Sequence, residues 1–126
     1  MSNPFPGERP DDESEDQIIE RISRKFFLRL RDLLRDRSDK VRSVRRWGSG
    51  FRCVTQGIDV HVWRSIGVAT PVLVHASLHE IDIISLDQEV LVDIERLLSQ
   101  HVTELEQEAA ILRRRFLAQQ LYAYYK

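Results

Sequence analysis

Two groups of side chains in this 126-residue sequence could do chemistry. One is His61, His75 and His79 with Asp59 and Glu80 nearby, a donor set of the kind that holds zinc. The other is Arg42, Arg45, Arg46 and Arg52, interleaved with Trp47 and Phe51 around Gly48-Ser49-Gly50. Arginines and aromatics about a glycine turn can grip an anionic partner, holding phosphate and stacking on bases. The metal reading is the weaker of the two. On a strand, His75 and His79 stand about 13 Å apart at ~3.3 Å per residue, too far to share one ion. Only His61 with one of them is feasible, and no third ligand is evident, so neither metal nor cofactor is expected. The arginine segment is no P-loop, because the GxxxxGK[ST] spacing is missing.

Other catalytic signatures are also lacking. No G-x-S-x-G, HExxH, CxxC or dinucleotide fingerprint occurs. Glu104, Glu106 and Glu108 read as a solvated run. His101 falls within an apolar stripe and reads as a core or interface residue. Cys53 is the single cysteine, which excludes an internal disulfide. It alternates with Phe51 and Thr55 and reads as a small buried hydrophobe. The expectation is a protein that is not an enzyme.

The elements that must position these residues follow from periodicity. Residues 1–15 carry Pro4, Pro6, Gly7 and Pro10 with Asp11, Asp12, Glu13 and Glu15. This composition predicts a disordered acidic tail, ahead of one domain over 16–126. A first helix is expected from about Glu15 to Arg37, with Ile19, Ile22, Phe26, Leu30 and Leu33 as its core stripe. Ile18, Phe27 and Leu34 widen that stripe, and Arg21, Arg24, Arg31 and Arg35 point away from it. Phe51–Thr55, the tight turn Gln56-Gly57, and the alternation of Ile58, Val60 and Val62 with Asp59, His61 and Trp63 predict a hairpin. After a loop from Ser65 to Thr70, Pro71 opens a strand in which Val72, Val74 and Ala76 alternate with Leu73, His75, Ser77 and His79. A short strand over Ile81–Ile84 completes a three- to four-stranded antiparallel meander. Its valine face packs on the helices, leaving Asp59, His61, Trp63, His75, Ser77 and His79 on the other.

The last third forms a long helix from Leu86 to Tyr124. No Gly or Pro follows Pro71. Ser85-Leu86-Asp87-Gln88 offers an N-cap with Gln88 at the capping-box position. Leu91, Ile94, Leu98, Val102, Leu105, Ala109, Leu112, Phe116 and Ala123 share one stripe. At 1.5 Å per residue this helix runs on the order of 55–60 Å, far longer than a body with a radius of gyration near ~13 Å. Beyond Ala109 apolar residues surround it: Ile111, Leu117, Ala118, Leu121, Tyr122, Tyr124 and Tyr125. With Trp63, Leu112 and Phe116, these make the expected interface of a homo-dimer or higher oligomer, or with a protein partner.

The fold class is therefore α+β: an N-terminal helix, an antiparallel meander and a long C-terminal helix. That order is similar to dimeric secretion chaperones and small nucleoid-associated proteins in architecture alone, with no shared motif. Net charge is −1, yet residues 21–52 hold twelve basic residues against three acidic ones while the remainder is strongly acidic. Such segregation bears on partners. The apolar runs are too short for membrane insertion, and with the lone cysteine and no apolar leader they point to the cytoplasm. The first functional reading is a non-enzymatic oligomeric interaction protein: an adaptor, assembly factor or regulator of a larger complex. The alternative is a nucleic-acid-binding regulator using residues 21–52.

Overall fold

The computed structural model describes residues 13–64, 70–78, 81–83 and 87–125. The fold is α+β: helix α1 (Glu15–Arg35), strands β1 (Val41–Trp47), β2 (Gly50–Thr55), β3 (Ile58–Arg64), β4 (Val72–Leu78) and β5 (Ile81–Ile83), then helix α2 (Gln88–Tyr125). The strands form one antiparallel sheet in sequence order. The meander is one strand longer than the alternation predicts. The addition is β1, whose arginines mask its period. Of the expected tail (1–15), residues 1–12 lie outside the described residues, as do His79 and Ser85, whereas Ser14 and Glu15 belong to the capped start of α1 rather than to a disordered tail.

β-Sheet register sorts the side chains. Phe51 pairs with Val62, Cys53 with Val60 and Thr55 with Ile58. Val60 continues to Ala76 and Val62 to Val74. Because side chains alternate with period 2, these residues share one face, and both helices pack on it. The Gln56-Gly57 turn has φ of 55° and 74°, the left-handed pair that a tight two-residue hairpin requires.

α1 starts on a complete capping box. The Gln17 amide donates to Ser14 Oγ (3.2 Å), and the Ser14 amide donates to Gln17 Oε1 (2.9 Å). Its buried stripe is Ser23, Phe27, Leu30 and Leu34, rotated from the one the periodicity predicts. Ile19 and Ile22 are instead exposed, Ile22 by 46%. Ser23 can enter the core because its hydroxyl donates to the Ile19 carbonyl at 2.6 Å, satisfying it within the helix.

α2 is capped by Asp87, whose Oδ1 accepts from the Glu89 amide at 3.2 Å and whose carbonyl accepts from the Leu91 amide. Gln88, expected in a capping box, does something else. Its Nε2 donates to the Val72 carbonyl (2.9 Å) and its Oε1 accepts from the Val72 amide (3.0 Å). The carboxamide thus replaces a strand partner on the stretch of β4 that β5 does not reach. Val90, Leu91, Ile94, Leu98 and Val102 are buried under the helix. From Thr103 to Tyr125 every residue is exposed.

The core fixes two expected outcomes. Leu98→Ala removes a fully buried side chain, so unfolding in urea at high dilution should show a loss of about 2–5 kcal/mol. Leu112→Ala, on the exposed part of the same stripe, should stay within about 0.5 kcal/mol under those conditions. Burial pushes the Cys53 thiol up to about 12. A disulfide reagent at pH 8 should leave the native protein unmodified and react once it is unfolded; rapid labelling of the native state would contradict this placement.

Candidate functional site

The basic segment is folded by a β-bulge. Arg42 pairs with Val54 and Arg45 with Arg52, so Ser43 and Val44 together oppose Cys53. Ser43 takes φ of 53° to achieve this. One inserted residue flips the alternation beyond it. Val41 and Val44 point toward the core, and Arg45 and Trp47 come round to the face that carries Arg42.

Three rows result on the sheet face opposite the helices. The middle row crosses four strands as Arg45, Arg52, His61 and His75. On one side of it lie Trp47, Gly50, Trp63 and Leu73. On the other lie Arg42, Val54 and Asp59. The Arg52 guanidinium sits 4.4 Å from the centre of the Trp47 ring, and that of Arg45 sits 5.6 Å away. His61 stacks on Trp63 at 4.5 Å with 23° between the planes. Trp47 remains 47% exposed and Leu73 39%. Gly50 lets the tryptophan row close up: a Cβ there would fall 2.0 Å from the Val62 carbonyl oxygen and 2.7 Å from Trp63 Cα.

His61 is tuned by this setting. Burial, then the neighbouring Arg52, hold its imidazole below the usual histidine range, against a weaker upward pull from the Trp47 backbone. His61 Nε2 and Arg52 Nε are buried without a hydrogen-bond partner. His61 and His75 are register partners, while His79 and Glu80 fall outside the described residues. Among the described residues, no group of three or more His, Cys, Asp or Glu side chains could hold a metal ion.

Of the five residues expected to hold an anionic partner, Arg42, Arg45, Trp47 and Arg52 share the open face. Arg46 does not. It points toward α2, where its Nε lies 2.8 Å from Glu106 and its guanidinium stacks 5.8 Å from the Phe51 ring. Other cations of the segment are also spent on α2. Arg31 and Arg35 hold Asp93 at 3.7 and 3.0 Å, and Arg37 Nη2 reaches Glu104 at 2.7 Å. Thus Glu104 and Glu106, which read as a solvated run, are ion-paired. Periodicity cannot reveal such pairs, since the partners are some sixty residues apart.

The remaining expected interface residues, apart from Trp63, lie on the free part of α2. Leu112, Phe116, Leu117, Leu121, Tyr122, Tyr124 and Tyr125 are all exposed, Phe116 by 61% and Tyr124 by 81%. None of them belongs to the core cluster of the described residues. The 23 residues past Val102 extend about 34 Å at 1.5 Å per residue. Arg64, on β3, is a residue that sequence reasoning missed. Its Nε and Nη2 donate to Glu95 at 2.8–3.0 Å and its Nη1 to the Thr70 carbonyl at 2.7 Å. This bidentate pair locks α2 to the sheet.

Comparisons of the chain with protein-family models, with curated proteins and with solved structures return no match.

Because the native His61 resists protonation, the unfolded chain binds the proton more readily. The stability His61 contributes is full above the unfolded pKa of about 6.5 and declines as pH falls through and below it. The urea midpoint of the wild type should therefore drop between pH 7.5 and 5, and His61→Phe should reduce that drop. An unchanged drop would place the pH dependence elsewhere. Gly50→Ala should destabilise the sheet by about 1–3 kcal/mol through overpacking, with the change visible in tryptophan emission.

Proposed function

We propose that this protein is a non-catalytic interaction protein that works as an oligomer, an adaptor, assembly factor or regulator of a larger complex, and that it associates through the free end of α2. The observation that carries this reading is the exposure of every residue from Thr103 to Tyr125 on a helix that is apolar around its circumference past Ala109. Exposed apolar side chains at this density, here interspersed with Arg113, Arg114 and Arg115, mark association sites. Its residue types also fit. Leucine and phenylalanine supply apolar area, and the three tyrosines tolerate a wet rim.

Leu105, Leu112 and Phe116 prolong the stripe that Leu91, Ile94, Leu98 and Val102 bury in the body. A second copy can cover that prolongation without disturbing the first. The free segment is rich in Glu, Gln, Ala, Leu and Arg, all good helix formers, and it grows from a turn already nucleated by the core. It can hold its shape before association. Among the described residues no helix is long and apolar enough to cross a membrane; a cytoplasmic location is part of this reading, supported by the use of a single, buried cysteine, Cys53, and no disulfide framework.

The experiment is a mass measurement by light scattering. The full-length chain should run as a dimer or larger at tens of micromolar (order of magnitude for a weak, specific interface). Ending the chain after Arg115 should weaken association while the sheet and α1 stay folded by circular dichroism. A full-length protein that remains monomeric in this range overturns the reading.

A further inference from the structure

The open face of the sheet lies on the side away from both helices, and no described element packs on it. Its charge is one-sided. Arg42, Arg45 and Arg52 stand there against Asp59, and their arrangement is set by the pairing across β1, β2 and β3. Arg42 also joins Lys40 in lining a cleft of about 390 Å³ beside the Gln56-Gly57 turn. Neither cation has an ionic partner among the described residues. Most of the arginines that do have such partners are neutralised by acids of α2 or α1.

The aromatic residues are equally one-sided. Both tryptophans of the chain are on this face. Each has charged or aromatic neighbours at its ring, Trp47 the guanidiniums of Arg52 and Arg45 and Trp63 the imidazole of His61, yet Trp47 stays 47% exposed. The row of cations and imidazoles therefore runs beside a row of ring platforms, one residue pair away. At ~4.8 Å between strands the row spans about 14 Å over four strands, room for two or three nucleotides.

We propose that this face is a binding site for single-stranded nucleic acid, with Arg42, Arg45 and Arg52 following the phosphates and Trp47 and Trp63 taking bases. Two chemistries must meet on one ligand, regularly spaced anions and flat rings, and single-stranded nucleic acid supplies both. An acidic protein segment would use the arginines and leave the tryptophan row without a role. The site does not depend on the free end of α2, which leaves the body from the other side of the sheet.

The intrinsic fluorescence of the full-length protein tests this, because both tryptophans report on the site. Titration with dT12 or rU12 at 50 mM salt should quench the emission, and comparing the two oligonucleotides separates DNA from RNA. With three phosphate contacts, log K should fall against log salt with a slope of about −2. Trp47→Ala should weaken binding, followed by anisotropy of a labelled oligonucleotide, roughly 5- to 150-fold at constant salt, with the slope kept. Arg42→Glu with Arg45→Glu and Arg52→Glu should abolish binding, whereas Arg46→Glu, on the helix side, should leave it within about twofold. No quench by either oligonucleotide up to about 100 μM, the weak end of non-specific binding, overturns the proposal without any variant having to fold. So does an affinity for a polyglutamate peptide that matches the oligonucleotides and is indifferent to Trp47→Ala, or equal losses from the Arg46 and Arg42–Arg45–Arg52 changes.

Discussion

Everything in this molecule hangs on the burial of the first half of α2 against one face of the sheet. Leu91, Ile94 and Leu98 are essentially inaccessible, and they meet Val60, Val62 and Cys53, which are equally buried. Burial of apolar area is non-directional, so it explains why the layers adhere but not how the helix is oriented. Polar contacts supply the orientation. Gln88 is pinned to the Val72 backbone, and Arg64 grips Glu95 through the Nε–Nη2 edge of its guanidinium. These two fastenings, seven residues apart on α2, fix its rotation and its direction. What remains of the helix must then leave the body.

Charge distribution serves the same layering. The basic stretch 21–52 and the acidic remainder look like an invitation to outside partners, yet much of that charge is settled internally. Asp93, Glu104 and Glu106 each meet arginines from α1, its C-terminal turn or β1. These pairs are largely exposed, and exposed pairs are each worth little, about 0–1 kcal/mol. Their effect is selective. They draw Arg31, Arg35, Arg37 and Arg46 to the helix side and leave Arg42, Arg45 and Arg52 on the open face. A chain close to neutral overall thereby keeps one locally basic surface.

The two candidate surfaces are products of this arrangement and are chemically unlike. The free end of α2 is apolar, tyrosine-rich and rod-shaped, suited to another helix. The open sheet face is flat, cationic and aromatic, suited to an extended anion. They point away from the body in different directions, so both could be occupied at once.

The sequence by itself determined the element types and most of their order. Period-2 alternation in Ile58–Trp63 and Val72–Ser77, the Gln56-Gly57 turn, and a 3.6-residue stripe unbroken by Gly or Pro from Gln88 onward are local signals, decided by backbone sterics within a few residues. The overhang was legible too, because helix length and body size scale differently with residue number. Tertiary structure alone decided three things. It added β1, since a strand carrying Arg42, Arg45 and Arg46 is recognisable only when β2 pairs with it. It set the phase of α1, burying Ser23 and exposing Ile22, because a helix rotates to fit its neighbours and a serine that bonds its own helix costs little to bury. And it decided which of the neighbours Arg45 and Arg46 turns inward. The Ser43 bulge reverses the faces at that point, and acceptors on α2 some sixty residues away receive the side chain that turns inward. Spacing along the chain carries no record of either.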